Sequence, residues 1–416
     1  VNSRQGMEVF LHGRHIGMLT GTSLRLAFQY DADVVAEYGS GATLLSLSLP
    51  LSRKKLTGPS VYNYFDGLLP EGQVRSQLAM DNGVSAPDAL GLLRVLGADC
   101  AGAVQVLPAG VNPQQAGNGK SLTHGEVANI VEALPTWDLP EDFMITASLG
   151  GVQSKVLLSR IDGGWSWPGS GAVSTHIIKP DPLDSPVPHL LASEDWALKV
   201  ASAAGLPAAE SWLETFGSRR AIVVKRFDRT AAGGRVHQED FTQALGLSSA
   251  NKYEGTTASP SRLTKLTSLA APHTRDEEEF LRQLLRAVTF NALIGNGDAH
   301  SKNYAVLILD GGEVRLAPLY DAAPTLLLHS ASVNAGHTLG GQIRLPYLTF
   351  EHLVNEGVAW GLQGSEARLT ATQALESAAE AAAATPSVEE ISFLRELVPA
   401  RAQDLLNGRT ARRSLA

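Results

Sequence analysis

Cysteine is almost missing from this 416-residue chain: Cys100 stands alone, which excludes an internal disulfide framework and a cysteine-rich metal site and suits a reducing cytoplasm. A single thiol of this kind is expected to lie buried. No apolar run approaches the roughly 20 residues that a membrane-spanning helix needs, so a soluble, cytoplasmic location is expected. The first ten residues carry Arg4 and Glu8 but no long apolar segment, and are expected to be neither a signal peptide nor an anchor. Positive charge is also short. With 34 Lys and Arg against 42 Asp and Glu, the net charge of -8 argues against a mainly non-specific nucleic-acid coat, though not against a local basic patch. Zinc-ligand spacing is lacking, and no separated carboxylate pair compels glycosidase chemistry.

What is present belongs to a folded protein. Hydrophobic residues make up 44% and charged residues 18%, and 416 residues exceed what one core usually serves, so two domains are expected. Alternating apolar positions at 7–11, 15–19 and 24–30 read as short strands of an amino-terminal sheet, and the pattern turns helical at 76–96, with Gly91 and Gly97 interrupting or ending helices. A new region begins at 102–107, a helix is expected at 123–134, and a domain boundary falls near 140. Residues 155–161 and 174–178 form a two-stranded frame around the Asp162-Gly163-Gly164 turn, followed by a helix over 190–204 and strands at 211–216 and 220–224. The most periodic segment is 277–294, where Phe280, Leu284, Val288 and Leu293 recur at helical spacing; short strands at 304–309 and 313–318 follow. An Ala-rich surface helix at 370–384 and a second helix at 394–406 close the chain, ahead of a basic tail with Arg409, Arg412 and Arg413.

The chemistry is concentrated between the long helix and the hairpin, in Gly295-Asn296-Gly297-Asp298-Ala299-His300-Ser301-Lys302-Asn303. Asp298 can orient or deprotonate an acceptor hydroxyl, and Asn303 offers an amide oxygen to Mg²⁺. The second strand leads to Tyr320-Asp321, whose carboxylate can bind the same hard cation and bridge it to phosphate oxygens. This is the D-x-x-x-x-N order, with a following metal-binding Asp, used by kinase catalytic lobes. His300 and Lys302 join the nucleotide-contacting set, with His300 read as a structural member of the loop rather than the base.

Upstream, Ser148-Leu149-Gly150-Gly151-Val152-Gln153-Ser154-Lys155 precedes a strand. Gly150 and Gly151 let backbone amides approach phosphate, and Ser148 or Ser154 can add a hydroxyl; taken alone the segment is equally a structural turn. Lys179 ends the next strand, placed to reach ATP phosphates, and Glu194 is either its ion-pair partner or a surface acid. In Val223-Val224-Lys225-Arg226-Phe227-Asp228-Arg229, backbone groups near Lys225 and Phe227 are candidates for adenine recognition, while the Phe227 ring can equally fill the core. His237 and Asp240 complete a polar neighbourhood in the sequence.

Taken in order, 148–155, 175–179, 226–229, Gln238-Glu239-Asp240, 298–303 and Tyr320-Asp321 resemble the HipA family of bacterial serine/threonine kinases, usually toxins of toxin-antitoxin systems. The resemblance implies that Asp298 is the catalytic base, that Asn303 and Asp321 bind magnesium, that Lys179 contacts ATP phosphate and that Ser148 is an autophosphorylation site. Gln153-Ser154-Lys155 departs from the family's Q-E-K pattern. A small DNA-binding HipB-like antitoxin is the implied partner, with DNA contact indirect or limited. The implied substrate is a cytoplasmic protein; some relatives phosphorylate aminoacyl-tRNA synthetases, glutamyl-tRNA synthetase in particular.

The expected fold is therefore α+β: a mixed α/β accessory domain over 1–140, then an atypical bilobal protein-kinase-like core over 141–416. Its nucleotide-binding lobe spans about 141–235 and its helical carboxyl-terminal lobe about 236–416. The competing readings are a small-molecule phosphotransferase and a catalytically weak regulatory binding module.

Overall fold

A computed structural model describes residues 6–113, 119–137, 139, 143, 150–151, 153–168, 173–230, 233–255, 260–329 and 332–414. The chain divides into two compact units, one made of Val1–Leu183, Glu214–Ser249 and Leu307–Gly312, the other of Asp184–Leu213, Ala250–Val306 and Glu313–Ala416. Both mix helices and strands. Among the described residues no helix is long and apolar enough to cross a membrane.

The first unit opens on β1 (Met7–Leu11), β2 (Arg14–Thr22) and β3 (Arg25–Tyr30). His12 and Gly13 take φ of 51° and 78°, the left-handed pair that a tight hairpin requires. Along β3, Leu26, Phe28 and Tyr30 alternate into the core, and Phe28 meets Phe65 edge-on at 5.6 Å. With β4 (Leu56–Thr57) and β5 (Val104–Pro108) the sheet order is β4-β3-β2-β1-β5. Residues 102–107, read from the sequence as the start of a new region, instead return to the first sheet: β5 pairs antiparallel with β1, and Val104 and Val106 are wholly buried. The helical stretch is also cut elsewhere than expected. Its helices are Gly72–Asp81 and Ala89–Leu96, so Gly91 lies inside the second. Asp88 caps that helix by accepting the Gly91 N–H at 3.1 Å, and a Cβ on Gly91 would sit 2.6 Å from the Asp88 carboxylate.

The second sheet of this unit contains β6 (Lys120–Leu122), β7 (Val156–Ile161), β8 (Gly164–Trp167), β9 (His176–Pro180), β10 (Ser211–Phe216) and β11 (Arg219–Lys225). Their order is β10-β11-β9-β7-β8-β6. The expected two-stranded frame exists, since β7 and β9 are antiparallel neighbours with Val156 opposite Ile178. The partner across the Asp162-Gly163 turn, however, is β8. A single Gly-Trp-Ser-Trp run is too short to show periodicity.

In the second unit the helix Glu277–Ile294 has the bounds its periodicity implies. Asp276 caps it by accepting the Glu279 N–H at 2.9 Å, three glutamates occupy its first turn, and Gly295 ends it at φ 73°. The Ala-rich helix starts already at Gly364 and runs to Ala384, and it is not a surface helix. Ala367, Ala371, Ala374, Ala378, Ala381 and Ala382 are buried, and their small side chains let it pack against Leu190–Ala203, Glu277–Ile294, Phe350–Ala359 and Leu394–Leu406.

Candidate active site

In the second unit, the loop after Gly295 is held by side chains close to it in sequence. Asn291 accepts the Asn296 amide N–H at 2.8 Å through its own side-chain oxygen, and its Nδ2 donates to the Tyr304 hydroxyl at 2.9 Å. Asn296 in turn accepts the Asp298 backbone N–H at 3.0 Å, and Gly297 N–H donates to Thr325 Oγ1 at 2.8 Å. A 3₁₀ turn over Ser301–Asn303 then folds the chain back, so that Asn303 Nδ2 donates to the Asp298 carbonyl at 2.8 Å. That bond engages the nitrogen end of the Asn303 amide, and the oxygen end is an acceptor only. His300, Lys302 and Asn303 are buried, whereas the Asp298 side chain keeps 50% of its exposure.

Two more segments meet this loop. The Tyr320 hydroxyl donates to the Lys302 carbonyl at 2.7 Å, and the next residue, Asp321, takes φ of 54°, a left-handed conformation that aspartate tolerates better than most residues. The sequence did not single out the other segment. Tyr253 donates its hydroxyl to Asp298 Oδ1, and its ring stands edge-on to His300 at 4.9 Å and 81°. The Nε2 of His300 is 3.8 Å from the same carboxylate oxygen. Tyr253 is held by its neighbours: Lys252 O accepts Ser301 N–H at 3.0 Å and Arg262 Nη1 at 2.8 Å. Glu254 accepts Arg262 N–H at 2.6 Å and Thr338 N–H at 2.8 Å. Burial works to raise the Glu254 carboxyl, but His337 and these two amides outweigh it and hold it below its ordinary value.

Apart from Glu194, the remaining candidates lie in the first unit. Lys155 Nζ donates to the Gly150 carbonyl at 2.7 Å, closing the glycine segment into a ring of backbone, and Gly151, at φ 115°, has its carbonyl taken by Glu71 N–H at 3.1 Å. That φ strains any residue with a Cβ, and a Cβ there would stand 2.8 Å from the Lys155 ammonium. Gln153 and Ser154 are half-buried in the same turn; Ser148 and Val152 lie outside the described residues. Lys179 is buried on the central strand β9, opposite Ile222 of β11. Glu194 is buried on the helix Leu190–Ala203 of the second unit.

At the end of β11, Arg226, Asp228 and Arg229 are buried while Lys225 is exposed and Phe227 half-buried. Arg226 donates to both Asp228 oxygens at 2.9 Å, to Ser174 Oγ at 2.7 Å and to the Cys100 carbonyl at 3.0 Å. Arg229 reaches Asp99 at 2.8 Å. Burial alone would raise Asp99, but Arg229, Arg226 and Arg235 hold it down to about 2. The charged residues of this segment therefore anchor it from inside, which leaves 225 and 227 as its outward positions. His237 and Asp240 have structural roles. His237 Nε2 is 2.8 Å from the Leu45 carbonyl and burial lowers its pKa to about 4, while Asp240 caps the turn of helix at Phe241–Ala244.

Two family descriptions match the chain: HipA N-terminal domain over residues 7–107 and HipA-like C-terminal domain over 147–386. Putative kinase Y4mE of Sinorhizobium fredii is 36% identical over 311 residues, covering 72% of this chain and 73% of that protein. The serine/threonine-protein kinase toxin HipA of Shewanella oneidensis is 29% identical over 316 residues, 71% of each chain. A solved Shewanella oneidensis assembly of HipA, HipB and operator DNA contains a chain of the same fold, at TM-score 0.78 and 23% identity, covering 97% of this chain and 98% of that one. These matches define an enzyme of the kinase class. The chain belongs to the HipA family of bacterial toxin kinases.

Proposed function

We propose that this HipA-family kinase transfers the γ-phosphoryl group of ATP to a serine or threonine hydroxyl of a cytoplasmic protein, with Asp298 as the catalytic base. The supporting observation is the Asn303 to Asp298 bond at 2.8 Å, which ties the base and the expected metal-binding amide into one short loop while the carboxylate stays open to solvent. The donor chemistry suits magnesium: Asn303 Oδ1 and the Asp321 carboxylate are hard oxygen ligands, and Mg²⁺ completes its shell with water and phosphate rather than with an all-protein cage. Held there, the ion would neutralise charge on the transferring phosphate. Asp298 orients the acceptor hydroxyl and takes its proton; Lys179 and the backbone amides around Gly150, Gly151, Val152 and Gln153 bind phosphate, with Ser154 and Lys155 shaping the loop. His300 and Lys302 line the nucleotide side, and the backbone at Lys225 and Phe227 meets adenine.

In this reading residues 1–140 form the accessory region and 141–416 a bilobal kinase region, with lobes meeting near 235; the matched ranges 7–107 and 147–386 support that division. Ser148 is the proposed autophosphorylation site, where a phosphate adds about -1.5 to -2 charge beside the phosphate-binding glycines. A HipB-like DNA-binding antitoxin is the proposed partner, with DNA contact indirect or limited, supported by the Shewanella relative's assembly with HipB and operator DNA. An aminoacyl-tRNA synthetase is the first substrate to try.

The test is transfer of labelled phosphate from Mg-ATP, with intact-mass and phosphopeptide mapping. Asp298→Asn is expected to lower transfer by about 10²- to 10⁴-fold while leaving nucleotide binding in place. Equal transfer by a folded, ATP-binding Asp298→Asn protein would remove Asp298 from the base role, and phosphate found only away from Ser148 would remove that site.

A further inference from the structure

We infer that Tyr253 is an internal occupant of the acceptor position: its phenol sits on the carboxylate oxygen that an incoming serine or threonine hydroxyl must use, and substrate displaces it. This rests on Asp298 being the base. The Tyr253 hydroxyl donates to Asp298 Oδ1, as an acceptor hydroxyl does before it gives up its proton. Tyr253 is 49% exposed, so the side chain has solvent to turn into. Its backbone does not: Arg262 and Ser301 grip Lys252 O, Arg262 also reaches Tyr253 O at 3.2 Å, and Glu254 is fixed by Arg262 N–H and Thr338 N–H. A pivoting side chain on an anchored backbone can leave and return without unfolding the loop. Its edge-on contact with His300 sets the resting position.

The Tyr253 phenol competes for the proton-accepting oxygen and is a positioning residue, not a catalytic one. The cost of displacing one hydrogen bond falls on binding of the protein acceptor and not on binding of ATP.

Tyr253→Phe keeps the ring and its contact with His300 and deletes only the hydroxyl. With dephosphorylated casein as acceptor at saturating Mg-ATP, KM for casein is expected to fall about three- to tenfold, with kcat not lowered and KM for ATP unmoved. A KM for casein that stays put or rises, or a kcat that drops because the phenol was supporting the base, overturns the inference; a thermal midpoint within a degree or two of wild type ensures that the comparison is between folded proteins. The two claims fail separately. Casein phosphorylation by wild type with an unchanged Tyr253→Phe profile removes only the role of Tyr253. Wild-type protein that binds Mg-ATP yet labels neither casein nor itself removes phosphoryl transfer, and this inference with it.

Discussion

Arg226 has no path to water, and its charge is balanced by Asp228 and Asp99, with Ser174 and the Cys100 carbonyl filling its remaining donors. Cutting it to alanine takes one of the balancing cations from two buried carboxylates, leaving Asp228 with Arg229 and Asp99 with Arg229 and Arg235. Arg226→Ala is expected to cost about 3–5 kcal/mol, read as a lowered urea midpoint. Glu239 is the opposite kind of buried charge. Burial pushes it from 4.5 up to about 8, against the pull of Leu47 N–H at 2.8 Å and Ser46 Oγ at 2.5 Å. The folded protein thus keeps a proton that the unfolded chain releases near 4.5, so this group's contribution is complete below about 4.5 and is lost as pH rises through about 8. Glu239→Gln should flatten the fall of the unfolding midpoint between pH 5 and pH 8, and a slope identical to wild type would show that Glu239 does not titrate in that window. Single residues were unevenly legible. Asp298 and Asn303 stand out because kinase chemistry needs both at a fixed spacing, whereas Tyr253 carries no motif and reaches Asp298 only through the fold.

Whole elements could be read where their stabilising pattern is local. The helix Glu277–Ile294 carries its periodicity, its Asp276 cap and its Gly295 stop within one stretch of chain. Strands β5 and β8 could not be read so easily, because their identity depends on which distant strand they meet. The Ala-rich helix was misplaced for a related reason: alanine gives little hydrophobic contrast, so burial against four helices does not show in its composition. The loop around Asp298 combines both cases, stitched from nearby by Asn291 and Asn296 and from afar by Gly336. Gly336 has φ of 67°, and a Cβ there would stand 2.5 Å from the Ala299 carbonyl. Gly336→Ala is expected to cost about 1–3 kcal/mol and to depress phosphoryl transfer further than that loss of stability explains. Measuring urea midpoint and transfer rate on the same preparation separates the two; normal transfer would mean that the loop absorbs the push.

At the scale of the molecule, the first unit is assembled from stretches far apart in sequence. Ser46 and Leu47 bind Glu239, Gly102 N–H donates to Asp228 at 2.7 Å, and Asp99 takes Ser174 Oγ at 2.5 Å. No local pattern announces such pairings. They also mean that a fragment starting at residue 141 would carry Arg226 and Arg229 without Asp99 or the backbone oxygens of Cys100 and Gly102. That fragment is expected to lack a cooperative thermal transition by circular dichroism; a sharp one near the full-length midpoint would show that the amino-terminal sheet is dispensable for folding.

The same network surrounds the molecule's only cysteine. Cys100 is wholly buried, its carbonyl is held by Arg226 and Arg229, and burial pushes its thiol up to about 12. An alkylating reagent therefore finds neither access nor thiolate until this part of the chain opens. With no second cysteine to contribute background, the rate of mass gain under a thiol reagent times that opening molecule by molecule. Evolution has left a built-in stopwatch in the core of the first unit, and Arg226→Ala should make it run fast.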